Sequence, residues 1–395
     1  MNLNKNPYLE AFKSEKSNRC FLFSTENIND KLSGGHIEIL SDVYLLSEVF
    51  KHVYVVYPSK KENVNASLKN NFFDTTNRHL NIKYIPVKLN KSFLSKIFIS
   101  NNRLDIFSFL DKYNFKKDDI FFVVGHRNIL LHLILFLKYG SRQISFKSQG
   151  SMIKYNFDNF LALVNLGILD INQYIKRIIL FSFFLIVENF SYVFSNKLFI
   201  MRDKKNLYNN FYLYSIEKKF KNNVFYNCAS SFFYFNKVNQ KSTLKKSRKE
   251  KNKIIILGSL GDNTFPNNLL GLAVIIKALR KANKSYKIRI KIAGKCNNKS
   301  KHLLERYVNK NDFEIEFLNY ILNLSFFYKS LDGLIVPAYC GSGIPIKIFD
   351  AFFNFDGPIL TNNYVKESSG EFLKSKNIVH YDANLFLNYF NRNNS

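Results

Sequence analysis

Short apolar runs alternate with helix-length segments along nearly the whole chain, and no other feature limits its fold as much. In the first half, candidate strands fall at 20–24, 53–57, 82–87, 120–124, 143–146, 197–201 and 224–226. Segments with helical spacing lie between them, such as 37–50 and 128–138. The pattern stops at 236–253, NKVNQKSTLKKSRKEKNK, which is too charged to pack and reads as a solvated linker. It then resumes, with strands at 254–257, 287–292 and 313–317, helices at 269–279 and around 302–308, and a final helix at 383–391. Such alternation means βαβ units and parallel sheets whose ligands bind at the carboxyl ends of the strands. The expected fold class is therefore α/β, with two Rossmann-like doubly wound domains. The first covers 1–235 and the second 254–395, joined by the basic linker 236–253.

A chain of 395 residues is long enough to bury two such cores. Its 58 basic and 30 acidic residues leave a net charge of +28, which calls for an anionic partner or surface. Nucleic acid is a poor candidate for that partner. The basic residues are spread along the chain, no RNP, KH or zinc signature is present, and the linker has no aromatic platform. Cys20, Cys228, Cys296 and Cys340 are far apart and form no CxxC pair, so neither a zinc site nor a disulfide framework is indicated. A reducing cytoplasm is the simplest compartment, and the polar N-terminus lacks the apolar core of a signal peptide. The most apolar run, 178–187, is much shorter than the ~20 residues that cross a bilayer, so it reads as a buried helix first and an interfacial one second.

The stretch most suited to binding is 337–360, PAYCGSGIPIKIFDAFFNFDGPIL. An apolar strand at 334–336 leads into the turn Gly341-Ser342-Gly343, and a helix is expected over 344–355. Small residues at a strand-to-helix turn let backbone N–H groups approach an anion, and the helix N-terminus adds partial positive charge. Lys347, about one turn into that helix, adds a full charge. In the first half, Gly34 and Gly35 stand at the entrance of the helix 37–50, where two glycines permit close approach of a ligand. His126 follows the strand 120–124 and Lys147 ends the next one, so both are candidates by position. His132, on an apolar helix, reads as a packed residue.

The run GSGIPIKIFDAF followed by GP resembles the donor-site signature of the retaining GT-B glycosyltransferases of family four. Gly341, Ser342, Gly343, Lys347, Ala351, Gly357 and Pro358 fit its pattern. Pro345 stands where an arginine is common, and Asp350 where the ribose-binding glutamate is usual. Three further stretches resemble the family in order. LGSLGDNTFPNNLLGL matches the opening of the donor domain at Gly258, Ser259, Pro266 and Asn267. IRIKIAGK matches a strand end at Gly294. EFLNYILNLSFFYKSLDGLIVP places the backbone of Tyr320 and Ile321 toward a nucleotide base. Glu188 resembles a family helix glutamate, although a helix-surface carboxylate is the simpler reading.

The resemblance implies the GT-B fold, in which the two domains face each other across a cleft. It implies transfer of a sugar from a nucleotide-sugar donor with retention, and, with no DxD motif, no metal or other cofactor. Donor-binding residues would be Gly34, Gly35, Gly258, Ser259, Lys295, Tyr320, Ile321, Gly341, Ser342, Gly343, Lys347 and Asp350. His126 and Lys347 would be catalytic, and His126 and Lys147 would contact the acceptor. Lys295 or Arg202 would stand in for the missing arginine. The partners implied are a nucleotide sugar and a glycan or lipid-linked glycan acceptor of capsule, O-antigen or lipooligosaccharide type. The protein is then expected in the cytoplasm, peripheral on an anionic inner membrane face. Two other readings stay open. Pro345 and Asp350 suit a catalytically idle GT-B partner subunit, and nucleotide-sugar epimerases share the fold, though their acid/base set is not recognisable here.

Overall fold

The computed structural model describes residues 6–15, 17–24, 34–59, 81–88, 113–125, 129–148, 150, 152–201, 223–238, 254–282, 286–308, 312–321, 324–339, 344–373 and 379–392. The chain divides into two compact units. One comprises Met1–Ile153 with Ser182–Val238, and the other Lys154–Phe181 with Asn239–Ser395. The segment Lys154–Phe181 thus leaves the unit to which its sequence position assigned it. Its Leu166 packs against the apolar core of the second unit. Most of the linker expected at 236–253 lies outside the described residues.

The first unit is built on seven parallel strands: β1 (Arg19–Phe23), β2 (His52–Ser59), β3 (Ile82–Lys88), β4 (Ile120–Val124), β5 (Ile144–Ser148), β6 (Lys197–Ile200) and β7 (Val224–Phe225). Their order across the sheet is β3-β2-β1-β4-β5-β6-β7. Strands β4, β5 and β6 are buried at every position, as expected where helices cover both faces of a parallel sheet. Phe21, Phe23, Phe121, Val123 and Phe146 form the centre of this core. The described helices of the first half are α1 (Pro7–Ala11), α2 (Gly34–Ser47), α3 (Ile129–Tyr139), α4 (Met152–Asn165), α5 (Ile171–Val193) and α6 (Ser230–Val238). The helix α2 starts three residues earlier than its apolar spacing suggested, so Gly34 and Gly35 form its first turn.

The second unit repeats the plan with β8 (Ile254–Leu260), β9 (Lys287–Ala293), β10 (Phe313–Asn319), β11 (Gly333–Ile335), β12 (Ile359–Leu360) and β13 (Val379–His380), all parallel. The order is β10-β9-β8-β11-β12-β13. Its described helices are α7 (Pro266–Ala282), α8 (Asn298–Glu305), α9 (Leu324–Lys329), α10 (Lys347–Asn354), α11 (Asn363–Leu373) and α12 (Ala383–Arg392). In each sheet the chain winds outward one way from the first strand and then reverses. The reversal falls between β1 and β4, and again between β8 and β11. Ligands of open α/β sheets bind outside the carboxyl ends of the strands at this reversal.

Candidate functional site

In the second unit, the strand β8 ends at Leu260 and continues into Gly261 and Asp262, while β11 leads through Pro337–Tyr339 toward α10. Lys347 is the first residue of α10, whose N-cap, Ile346, makes no side-chain capping bond. The helix starts three residues later than its apolar pattern suggested, which puts Lys347 at the helix N-terminus instead of one turn inside it. Its Nζ donates to the Leu260 carbonyl oxygen at 3.1 Å, and so joins the two strands that flank the reversal. Burial pulls the ammonium pKa down to about 8, partly offset by the Asp262 carboxylate. At neutral pH it stays mostly protonated, and an anion placed beside it would hold it so.

The floor under Lys347 is made of glycines. A Cβ on Gly261 would stand 2.3 Å from the Lys347 Nζ, so a side chain there would push the ammonium aside. Gly294 follows β9 with φ of 115°, and a Cβ there would lie 2.1 Å from the Gly261 carbonyl oxygen. The Gly294 N–H donates to Asn319 O at 2.6 Å, and the Gly261 N–H to Ala293 O at 3.0 Å. Three successive strand ends are thereby tied together. Lys295, exposed, and Tyr320, 53% exposed, extend from the same edge beside half-buried Ile321. Gly271 of α7 packs against the Pro337–Tyr339 backbone, where a Cβ would meet Tyr339 N at 2.9 Å.

Gly258 and Asp350 both make close contacts within the second unit. A Cβ on Gly258 would stand 2.2 Å from Leu331 Cδ1 and 2.9 Å from the Phe327 ring, so this glycine admits α9 against the sheet. Ser259 is fully buried, and its hydroxyl has no hydrogen-bond partner. Asp350 accepts from the Tyr328 hydroxyl through Oδ2, and from Asn354 Nδ2 through Oδ1 at 2.8 Å. Burial pushes its carboxyl pKa up. Gly341, Ser342 and Gly343 lie outside the described residues. A cavity of about 530 Å³ opens beside the end of β12, lined among others by Tyr339, Thr361, Asn362, Glu367 and, from α4, Lys154 and Asp158. Both polar atoms of the Asn362 amide are buried and unpartnered.

In the first unit, Gly34 and Gly35 open α2, while His126 and Arg202 lie outside the described residues. Lys147 is not an acceptor contact. Its side chain is completely buried, and Nζ donates to Glu38 Oε1 and Asp42 Oδ1, each at 2.5 Å, and to Ser230 Oγ at 2.9 Å. All three ammonium protons are thus engaged inside the protein. Glu38 also accepts the Ser230 and Ser231 N–H groups at the N-terminus of α6, at 2.8 and 3.1 Å, where negative charge is favoured. Asp42 accepts from the Tyr8 hydroxyl at 2.5 Å, and burial pushes its pKa up to about 6 against the pull of Lys147. Together these groups clamp α1, α2, β5 and α6. Glu188 is likewise buried, accepting from the Ile153 N–H at 3.2 Å and the Tyr192 hydroxyl at 3.1 Å. His132 is packed as expected, 2.9 Å from Ser195 Oγ.

The sequence reading missed Asp262, the counter-charge of Lys347, and the Glu38–Asp42 pair. Asp262 follows directly on a glycine at a strand end, which is a weak signal. Glu38 and Asp42 sit four residues apart among Ile37, Ile39, Leu40 and Val43, a spacing that aims both carboxylates the same way from an apolar helix.

No protein-family model and no curated protein sequence matches this chain. Solved structures do match over nearly its full length. Trehalose-6-phosphate synthase, OtsA, matches with a TM-score of 0.59 at 10% identity, over 95% of this chain and 91% of its own. TarM matches with a TM-score of 0.55 at 9% identity, over 97% and 93%. The chain has the GT-B fold. A third GT-B match, the E. coli trehalose-6-phosphate protein bound with UDP-2-fluoro glucose, has a TM-score of 0.57 at 11% identity, over 95% and 90%. At such identities the likeness carries the GT-B architecture and not the substrate.

Proposed function

We propose that this chain is a glycosyltransferase that moves a sugar from a nucleotide-sugar donor to a cell-surface glycan or lipid-linked glycan acceptor, metal-independent and with retention. The observation that carries the reading is Lys347 at the N-terminus of α10, reaching across the reversal of a GT-B sheet to the end of β8. Two matches support it in kind: OtsA is a trehalose-6-phosphate synthase, and the E. coli trehalose-6-phosphate protein is bound with UDP-2-fluoro glucose.

In this reading the bond between the anomeric carbon and the diphosphate oxygen breaks, and negative charge grows on the departing phosphate. Lys347 and the helix N-terminus meet that charge where it develops, and the Gly341–Gly343 amides are assigned the same task. Retention requires the acceptor hydroxyl to arrive on the face from which the phosphate leaves. Its proton then passes to the phosphate oxygen as the new glycosidic bond forms. His126 is kept as the acceptor-side candidate. Lys295 supplies a second cation, and the Asn362 amide offers a donor and an acceptor suited to sugar hydroxyls.

The test is nucleotide release from UDP-, GDP-, ADP- and CMP-sugars in the presence of glycan acceptors. One donor class should turn over, and Lys347→Ala should lower kcat by about 10²–10³, the usual cost of losing one stabilising donor. A second reading, an idle GT-B partner subunit, is favoured by the engagement of both Asp350 oxygens within the unit. Nucleotide binding without turnover of any donor would select it.

A further inference from the structure

The cavity of about 530 Å³ beside the end of β12 is lined entirely by residues of the second unit, and its size is that of a small-molecule site. Gly261, Gly294, Lys295 and Lys347 are not among its described lining residues, so it is separate from the floor under Lys347. Hydrogen bonds between strand ends fix its wall. Thr361 donates through its N–H to His380 O at 3.0 Å and through Oγ1 to Val336 O at 2.9 Å. Asn362 then opens α11, its carbonyl oxygen accepting the Val365 and Lys366 N–H groups at 3.1 and 3.3 Å. An asparagine at this position ordinarily accepts a further helix N–H through its side chain. Here it does not, because Oδ1 and Nδ2 are both buried without a partner. Buried polar atoms are rarely left so, and an occupant that paired them would bind the more tightly for it.

The lining identifies the class of that occupant. Its charged side chains are Lys154, Asp158 and Glu367, and Lys154 pairs with Asp158 at 2.8 Å. One cation against two carboxylates leaves an excess of negative charge, in a chain whose net charge is +28. Phosphate, a nucleotide or any other anion is therefore disfavoured. A neutral ligand rich in hydroxyls fits. Carboxylates accept from hydroxyls, and the Asn362 amide can give to one hydroxyl and accept from its neighbour once its soft terminal torsion turns it to the cavity. Tyr339, 40% exposed, and half-buried Tyr364 and Tyr381 offer apolar ring faces with polar tips. Val274 and Ala278 of α7 add apolar surface. Apolar faces interleaved with hydroxyl-pairing groups complement a sugar ring, which has both.

We infer that this cavity binds a neutral saccharide unit of the acceptor glycan, at a site apart from Lys347. The origin of the sugar rests on the proposed glycosyl transfer, whereas the test reads binding alone. The full chain is titrated with the methyl glycosides of glucose, galactose and N-acetylglucosamine by saturation-transfer NMR, with and without UDP, GDP and ADP. The proteins are the wild type, Asn362→Leu, Tyr339→Ala and Lys347→Ala. Tyr339 is exposed, so its variant keeps the fold even if Asn362→Leu does not, and melting temperatures check both. At least one glycoside should bind the wild type and Lys347→Ala alike, with or without nucleotide, and should bind each cavity variant at least about tenfold more weakly. That pattern in a chain that binds no nucleotide would uphold the cavity while the donor site fails. No glycoside bound by the folded wild type would overturn the cavity, and nucleotide binding by the same sample would leave the donor site standing. Displacement of the glycoside by a nucleotide, or its loss in Lys347→Ala, would place the sugar at the donor site and overturn the assignment. Unchanged binding in both cavity variants would place it elsewhere and overturn it too.

Discussion

Replacing Lys147 by methionine is expected to destabilise the first unit by about 3–5 kcal/mol, the usual cost of removing one partner from a buried ion cluster. Methionine fills much the same volume, so the loss is electrostatic: Glu38 and Asp42 would remain buried without their cation. The loss also carries a pH signature. The folded-state pKa of Asp42 is raised from its ordinary value to about 6, so its contribution to stability is fully present below about pH 4 and is lost as pH rises through 6. Lys147 is raised above its ordinary lysine value, chiefly by Asp42 and Glu38 acting against burial. Its contribution is therefore intact throughout that window and is lost only at alkaline pH. The deficit of Lys147→Met should then be greatest near neutral pH and shrink toward pH 4, where the orphaned Asp42 carboxyl can be neutral. Adding Glu38→Gln and Asp42→Asn should recover part of it. Urea titrations from pH 4 to 8 measure this, and a deficit below about 1 kcal/mol at every pH would contradict the buried cluster.

Gly294→Ala is expected to cost about 2–4 kcal/mol, combining backbone strain at positive φ with a clash that no rotamer relieves. The obstructing atom is the Gly261 carbonyl oxygen, so any relief moves the floor beneath Lys347. Gly140→Ala is the control, because Gly140 has φ of 77° and nothing within 4 Å of the new Cβ. The excess of the first loss over the second isolates the clash. Equal losses at the two positions would mean that the strand ends are not held as described.

The alternation of apolar strands made the architecture legible, because parallel strands covered on both faces are apolar throughout and stand out from the chain. Strand order was not legible from the periodicity. Lys347 was found because its neighbours form a local motif. Its partners were not, since Leu260 and Asp262 lie more than eighty residues away in sequence. Lys147 was misassigned because a lysine at a strand end looks like a ligand contact, and nothing local reveals that α2 supplies two carboxylates above it. Glu188 was misread for a similar reason: Tyr192 is one turn along the same helix, but the Ile153 N–H that it also accepts comes from α4. In α5 the apolar count was read correctly and the burial was not: Leu180, Phe184 and Val187 are buried while Ile179 and Ile186 are exposed, and composition alone does not tell a helix covered on one face from one covered all round.

Calorimetric titration of the nucleoside diphosphates UDP, GDP and ADP into the wild type and into Lys347→Ala, at pH values from 6.5 to 9, tests the account most directly. One nucleotide should bind the wild type, with affinity falling as pH rises past about 8 and Lys347 loses its proton. The variant should bind about tenfold to a hundredfold more weakly, with that pH dependence gone. Affinity that is the same in both proteins, or no binding of any nucleotide to a well-folded sample, would contradict the donor site.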